Sequence, residues 1–216
     1  MKLSSQIISW AFVPLVTPVF AMLLVMFVPY GSFVDQLNEN SLYFINPQHK
    51  WQIVYYYSFF CVVVPGLSLI YLRTIGVIST IEVDDRRERS LPILVMFCSC
   101  LALLIFHHYA IPKELNFSKY VYSYPLSGVI ATAIYFVQTL WKKVSLHAGG
   151  MGIMSGFLLA YAAEMQVFPT WIILFAVIAS GLVMSARVYL EKHTLLEVVI
   201  GWFTGTFVTF AVNYYY

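Results

Sequence analysis

Residues 168–214 read FPTWIILFAVIASGLVMSA, then RVYLEKH, then TLLEVVIGWFTGTFVTFAVNY. A helix needs about 20 apolar residues to cross the hydrocarbon core of a bilayer, so the two outer runs are read as transmembrane helices. The joint between them is too short for anything but an antiparallel turn. Working outward, five further apolar segments repeat the pattern, at 8–30, 51–72, 91–111, 119–140 and 148–166. The remaining polar joints are Asp35 to Lys50, Arg73 to Ser90, Pro112 to Ser118, Trp141 to His147 and the Glu164–Pro169 turn. The reading is an all-α, polytopic membrane helical bundle of about seven transmembrane helices. It forms a single integral membrane domain over 1–216, without repeat, low-complexity tract or linker.

Composition agrees. Charged residues are 10% of the chain and hydrophobic ones 61%, whereas a soluble domain carries about a quarter charged residues. A net charge of +2 is too small to point to a nucleic-acid partner. The three cysteines, Cys61, Cys98 and Cys100, lie inside apolar runs without zinc-ligand spacing and are read as helix packing. The apolar stretch after Met1-Lys2 has no small-residue cleavage site and is read as a retained first helix. Tyrosines gather at segment ends, as in Tyr55-Tyr56-Tyr57 and Tyr214-Tyr215-Tyr216, which suits an aromatic belt at headgroup level.

Seven spans put joints 73–90, 141–147 and 187–193 on the N-terminal face. That face carries nine Lys/Arg, namely Lys2, Arg73, Arg86, Arg87, Arg89, Lys142, Lys143, Arg187 and Lys192; the other carries Lys50, Lys113 and Lys119. The positive-inside rule would place the richer face in the cytoplasm, but arginines that bind phosphate would contaminate the count, so orientation stays open. Ionisable groups concentrated at one membrane boundary point to a functional site.

In the last joint, His193 and Glu197 stand four apart at a helix start and share a face. A carboxylate on one ring nitrogen fixes the tautomer and makes the other nitrogen a better nucleophile or base. The competing reading makes Thr194–Glu197 a capping box; one carboxylate serving both would have to reach in two directions. Continuing the spacing gives Gly201 and Gly205, and the helix after His147 has Gly152 and Gly156. Packing through these small residues would bring His147 and His193 together. Arg86 and Arg89, three apart, would point the same way and present guanidinium forks suited to phosphate. Ser145 is placed to cap the helix that carries His147, whose N-terminal N–H groups favour an anion. In isolation, each of these features also has a purely structural reading.

Together the three joints resemble the signature of the type 2 phosphatidic acid phosphatase (PAP2) superfamily. The third motif matches in spacing, with Arg187, His193 six later and Glu197 four after that. The second is Val144-Ser145-Leu146-His147, and the first is Arg86-x-x-Arg89 with Pro92 close behind. The resemblance covers residues 73–205 and looks like a divergent bacterial branch. Glu197 replaces the usual Asp, Ala186 stands where Ser precedes Arg, Val144 and Leu146 replace Pro and Gly, and Glu82 occupies the place of the first motif's Lys.

The resemblance implies a multi-pass protein of the cell (inner) membrane acting as a lipid-phosphate phosphatase, a phosphoric monoester or diphosphate hydrolase. His193 would form a phosphohistidine, Glu197 would orient it, and His147 would protonate the leaving oxygen. Arg86, Arg89, Arg187 and Ser145 would hold the phosphate. No metal or other cofactor is implied. The expected partners are the bilayer and a phospholipid or polyprenyl phosphate substrate, with no nucleic acid. Alternatives are a phosphotransferase using the same intermediate, a non-enzymatic lipid- or partner-binding protein, and a transporter, which the lack of ionisable residues in mid-helix argues against.

Overall fold

The computed structural model describes residues 2–111 and 117–216, and six helices among the described residues are long and apolar enough to cross a membrane. Lys113 and most of the Pro112–Ser118 joint therefore lie outside the described residues. The first span joins α4 (Pro47–Ser58) and α5 (Val64–Thr74) through a π turn at Phe59–Val63. Pro65 follows at once, and the wider turn accommodates the N–H that proline lacks. Then come α6 (Ser90–Ala110), α7 (Tyr120–Trp141), α8 (Leu146–Glu164), α9 (Thr170–Tyr189) and α10 (Leu195–Tyr215). The all-α multi-pass bundle expected from the apolar segments is thus the observed architecture.

The difference lies at the start of the chain. The apolar segment 8–30 is not one rod but two short helices, α1 (Lys2–Ala11) and α2 (Thr17–Phe27). Pro14 cannot donate to a helix and pushes Val13 toward extended backbone, and Pro18 sits at the first turn of α2, where proline is welcome. The break packs on α8, where a Cβ at Gly150 would lie 2.8 Å from Pro14 Cα. From there α2 runs along α8, while α1 turns onto α9.

The closest helix pair is α8 with α10, and glycine makes it. An added Cβ would lie 2.2 Å from Trp202 O at Gly152, 2.3 Å from Thr206 O at Gly156, 2.5 Å from Ser145 O at Gly201 and 2.5 Å from Gly149 O at Gly205. Backbone meets backbone along the whole stripe, as the spacing of these glycines predicts. Tyr135 of α7 closes the stripe from the side, its hydroxyl donating to Gly201 O at 2.8 Å. This contact places the starts of α8 and α10 side by side.

At the far end, a single helical turn, α3 (Phe33–Gln36), fastens the long joint 31–46 to the bundle. Asp35 accepts from Ser32 N (2.7 Å), Gln166 N (2.7 Å) and Val167 N (3.2 Å). Glu164 pairs with Lys119 at 2.9 Å and accepts from Tyr120 Oη and Asn40 Nδ2, both at 2.6 Å.

Candidate active site

The three charged joints meet at one end of the bundle. Lys192 Nζ reaches Asp84 Oδ2 at 2.6 Å, Lys143 Nζ donates to Lys192 O at 2.9 Å, and Arg89 Nη1 donates to Val144 O at 2.6 Å. Ser145 N donates to Glu197 O at 3.2 Å, tying the start of α8 to the first turn of α10.

The spacing between Arg187 and His193 has a local cause. Helix α9 ends in a Schellman turn in which Lys192 N donates to Arg187 O (3.1 Å) and Glu191 N to Val188 O (3.0 Å), while His193 N also donates to Arg187 O (3.3 Å). The turn needs a left-handed residue, and Glu191 supplies it at φ +56°. The chain reverses within a few residues, returning His193 to the helix end that carries Arg187. Thr194 then caps α10.

Glu197 performs both roles that appeared exclusive. Its Oε2 accepts from Thr194 N at 3.3 Å, while Glu197 N bonds Thr194 Oγ1 at 3.3 Å, completing a capping box. The same Oε2 accepts from His193 Nδ1 at 2.8 Å. The expected conflict of directions does not arise, because the two donors lie next to each other and converge on one oxygen. Burial first, then the charges of Arg89, Arg187 and Lys143, holds the His193 imidazole far below its ordinary value. A neutral ring donating through Nδ1 leaves the Nε2 lone pair free.

Two guanidinium groups are buried around this pair. Arg187 donates from Nη1 to Ser9 Oγ (2.9 Å) and Glu82 Oε2 (3.1 Å), and its Nε has no hydrogen-bond partner among the described residues. Arg89 is held by the carbonyls of Val83 (2.9 Å from Nε) and Val144. Ser145 caps α8, accepting from Ala148 N at 3.4 Å, and His147 follows in the first turn. Asp84 sits at the rim: burial pushes its carboxyl up, but the Lys192 bond and charge, then Arg187 and Lys143, outweigh this and hold it below the usual range.

His147, His193, Glu197, Arg89, Arg187 and Ser145 are thus gathered at one place. Arg86 is bonded elsewhere on the chain than Arg89. Its Nη1 donates to Leu140 O, at the end of α7, at 3.0 Å. A short 3-10 turn over Arg86–Glu88 precedes α6, so the two arginines leave the chain on different geometry. Sequence reasoning did not foresee Ser9, which belongs to the first apolar segment, or the part played by Lys192 and Asp84. Only Glu82 carried a signal, as an acid where the resembled motif has a cation.

The fold and the site define a multi-pass membrane protein with a histidine–carboxylate pair and two buried guanidinium groups at one end of its helices. The PAP2 superfamily model matches residues 94–216, more than half of the chain, and the chain belongs to that superfamily. The matched stretch contains His147, Arg187, His193 and Glu197; Arg89 lies just before it and reaches the cluster through α6. No curated protein and no solved structure matches the chain.

Proposed function

We propose that this protein is a lipid-phosphate phosphatase of the cell (inner) membrane that acts through a phosphohistidine and needs no metal. Superfamily membership supports phosphatase chemistry on a phosphoric ester, and the bundle supports a substrate held in a bilayer. The observation that carries the finer reading is the His193 ring: neutral, fixed through Nδ1 by Glu197, and flanked by the buried charges of Arg89 and Arg187.

In the first half-reaction, Nε2 of His193 forms a bond to phosphorus as the bond from phosphorus to the lipid oxygen breaks. His147 gives its proton to the departing alkoxide. Arg89 and Arg187 stabilise the negative charge on the non-bridging oxygens, with the free N–H groups of the first turn of α8. In the second, His147 takes a proton from water as the water oxygen attacks phosphorus, and phosphate leaves as the N–P bond breaks. Arg86 gives one guanidinium N–H to Leu140 O at the end of α7, so the larger share of the charge falls to Arg89 and Arg187. The altered second motif is compatible with this chemistry: Ser145 still caps the helix of His147, and the carbonyl of Val144 anchors Arg89. The substrate is a phospholipid or a polyprenyl phosphate.

The experiment is a rapid quench of the purified protein with radiolabelled lipid phosphates, worked up in alkali to preserve phosphohistidine. Wild type is expected to trap label, and His193→Ala to trap none and to lose turnover. Normal turnover by His193→Ala would end the proposal.

A further inference from the structure

Both guanidinium groups assigned to phosphate are occupied by one short strap of the chain. Glu82 Oε2 accepts from Arg187 Nη1 at 3.1 Å, with Lys192 Nζ 3.7 Å away, and the neighbouring Val83 carbonyl accepts from Arg89 Nε at 2.9 Å. Val83 adopts φ +50°, a left-handed conformation that is a genuine outlier for a β-branched residue. A strained residue of the strap thus lies directly beside the two guanidinium groups.

The same strap walls a cavity. A space of about 310 Å³ opens between the Pro14 break, α5, α6 and the start of α8. Leu69, Ile70, Met96 and Leu146 make it apolar, and His147 and Glu82 stand in its lining. A hydrocarbon chain attached to a phosphate at His147 and Arg187 would suit this cavity. Its apolar lining leads straight to the charged groups, and no soluble ester would gain from filling it.

Resting on the phosphatase reading, we propose that Glu82 is a specificity-determining counter-anion. It holds Arg187 until a long hydrocarbon chain fills the cavity and displaces the Ile81–Val83 strap. A phosphate without such a chain must compete with Glu82 unaided. A phosphate with one gains burial in proportion to its length, and this binding drives the exchange at Arg187, as binding away from the reacting centre can.

The test compares wild type and Glu82→Gln on butyl and hexadecyl phosphate in mixed micelles, with orthovanadate affinity measured in parallel. Wild type should prefer the hexadecyl ester strongly. Glu82→Gln should raise kcat/KM for the butyl ester and tighten vanadate binding about two- to fivefold, the scale of losing one partly exposed ion-pair competitor. The hexadecyl ester should change by less than about twofold, so discrimination by chain length falls. Glu82→Asp keeps the charge but draws it back, and should move the same ratio in the same direction by less; it guards against a Gln variant that misfolds. A wild type that hydrolyses the hexadecyl ester while both variants leave the ratio unchanged, or worsen the butyl ester, overturns the inference alone. A wild type that neither turns over an ester nor binds vanadate sinks the phosphatase reading, and the inference with it.

Discussion

The two polar ends of the bundle are built from similar residues and differ in what those residues leave unpaired. At the far end, Asp35 takes backbone N–H groups from two separate joints, and Glu164 takes a lysine, a tyrosine and an asparagine. These two carboxylates are surrounded by donors from their own chain, and the bonds they accept hold loops to helices. At the other end the excess is cationic. Among the described residues, Arg187 keeps a buried Nε without a partner, Arg89 has backbone carbonyls as its only hydrogen-bond acceptors, and His193 has one nitrogen committed and one without a partner. A buried donor without an acceptor is costly, and a fold tolerates it where a ligand is to come. The comparison separates an end whose polar groups are spent on holding the fold from the end where the proposed chemistry would take place.

If the difference is real, substitutions at the two ends should separate activity from stability. The largest effect belongs to Arg187→Gln. Removing a charged donor aimed at a transition-state oxyanion costs about 10²–10³ in rate. Thermal unfolding in detergent should change little, because the carboxylate left behind, Glu82, is partly exposed to water and has Lys192 Nζ 3.7 Å away. Turnover within a few-fold of wild type would show that Arg187 serves the fold, and the comparison would collapse.

At the far end the expectation reverses. Asp35→Asn puts an amide among converging N–H donors and loses hydrogen bonds to a charged acceptor, worth about 1.5–3 kcal/mol each, so a loss of roughly 2–3 kcal/mol in stability is expected with kcat/KM unchanged. Burial alone would raise the Asp35 carboxyl, but the N–H groups of Ser32, Gln166 and Val167 outweigh it and hold it below the ordinary range. A carboxylate with a depressed folded value stabilises above its unfolded value, about 3.9. That contribution is lost as pH falls through the folded value. The gap between wild type and Asp35→Asn should therefore be full at neutral pH and close only in strong acid. A gap that closes near pH 6 would mean that some other group is being measured.

Much of this contrast is visible in the sequence, though unevenly. Span length, the glycine stripe and the Arg187–His193–Glu197 spacing are local patterns, set by helix geometry, and each appears in the structure as read. The broken first helix also had its signal, in Pro14 and Pro18, outweighed by the apolar run around them. What local pattern does not carry is the destination of a polar side chain across the bundle. Nothing near Ser9 announces that it meets Arg187, and Glu82 could be noticed only as an acid out of place. Arg86 and Arg89 make the same point: helical spacing put them near each other, but it could not say that each would give guanidinium N–H groups to backbone carbonyls, of Leu140 for Arg86 and of Val83 and Val144 for Arg89.

The smallest expected effect tests whether the reacting end is held under strain, as its counterpart is not. Glu191 ends α9 at φ +56° in a position that glycine fills at no steric cost. An L-residue there costs about 1–2 kcal/mol, partly offset because glycine loses more entropy on folding. Glu191→Gly is therefore expected to raise stability by about 1 kcal/mol. The bond from Lys192 N to Arg187 O survives the change, since it is made by backbone alone. His193 should then stay beside Arg187, and kcat should stay within about twofold, since position and not strain is what the chemistry uses. The measurements are thermal unfolding and turnover on the same preparation. A gain in stability accompanied by a clear fall in kcat would show that a looser turn lets His193 wander, so that the side chain at Glu191 helps to aim the nucleophile. A loss of stability would mean that Glu191 makes favourable contacts that outweigh its backbone cost, and the strain assigned to this turn would be wrong.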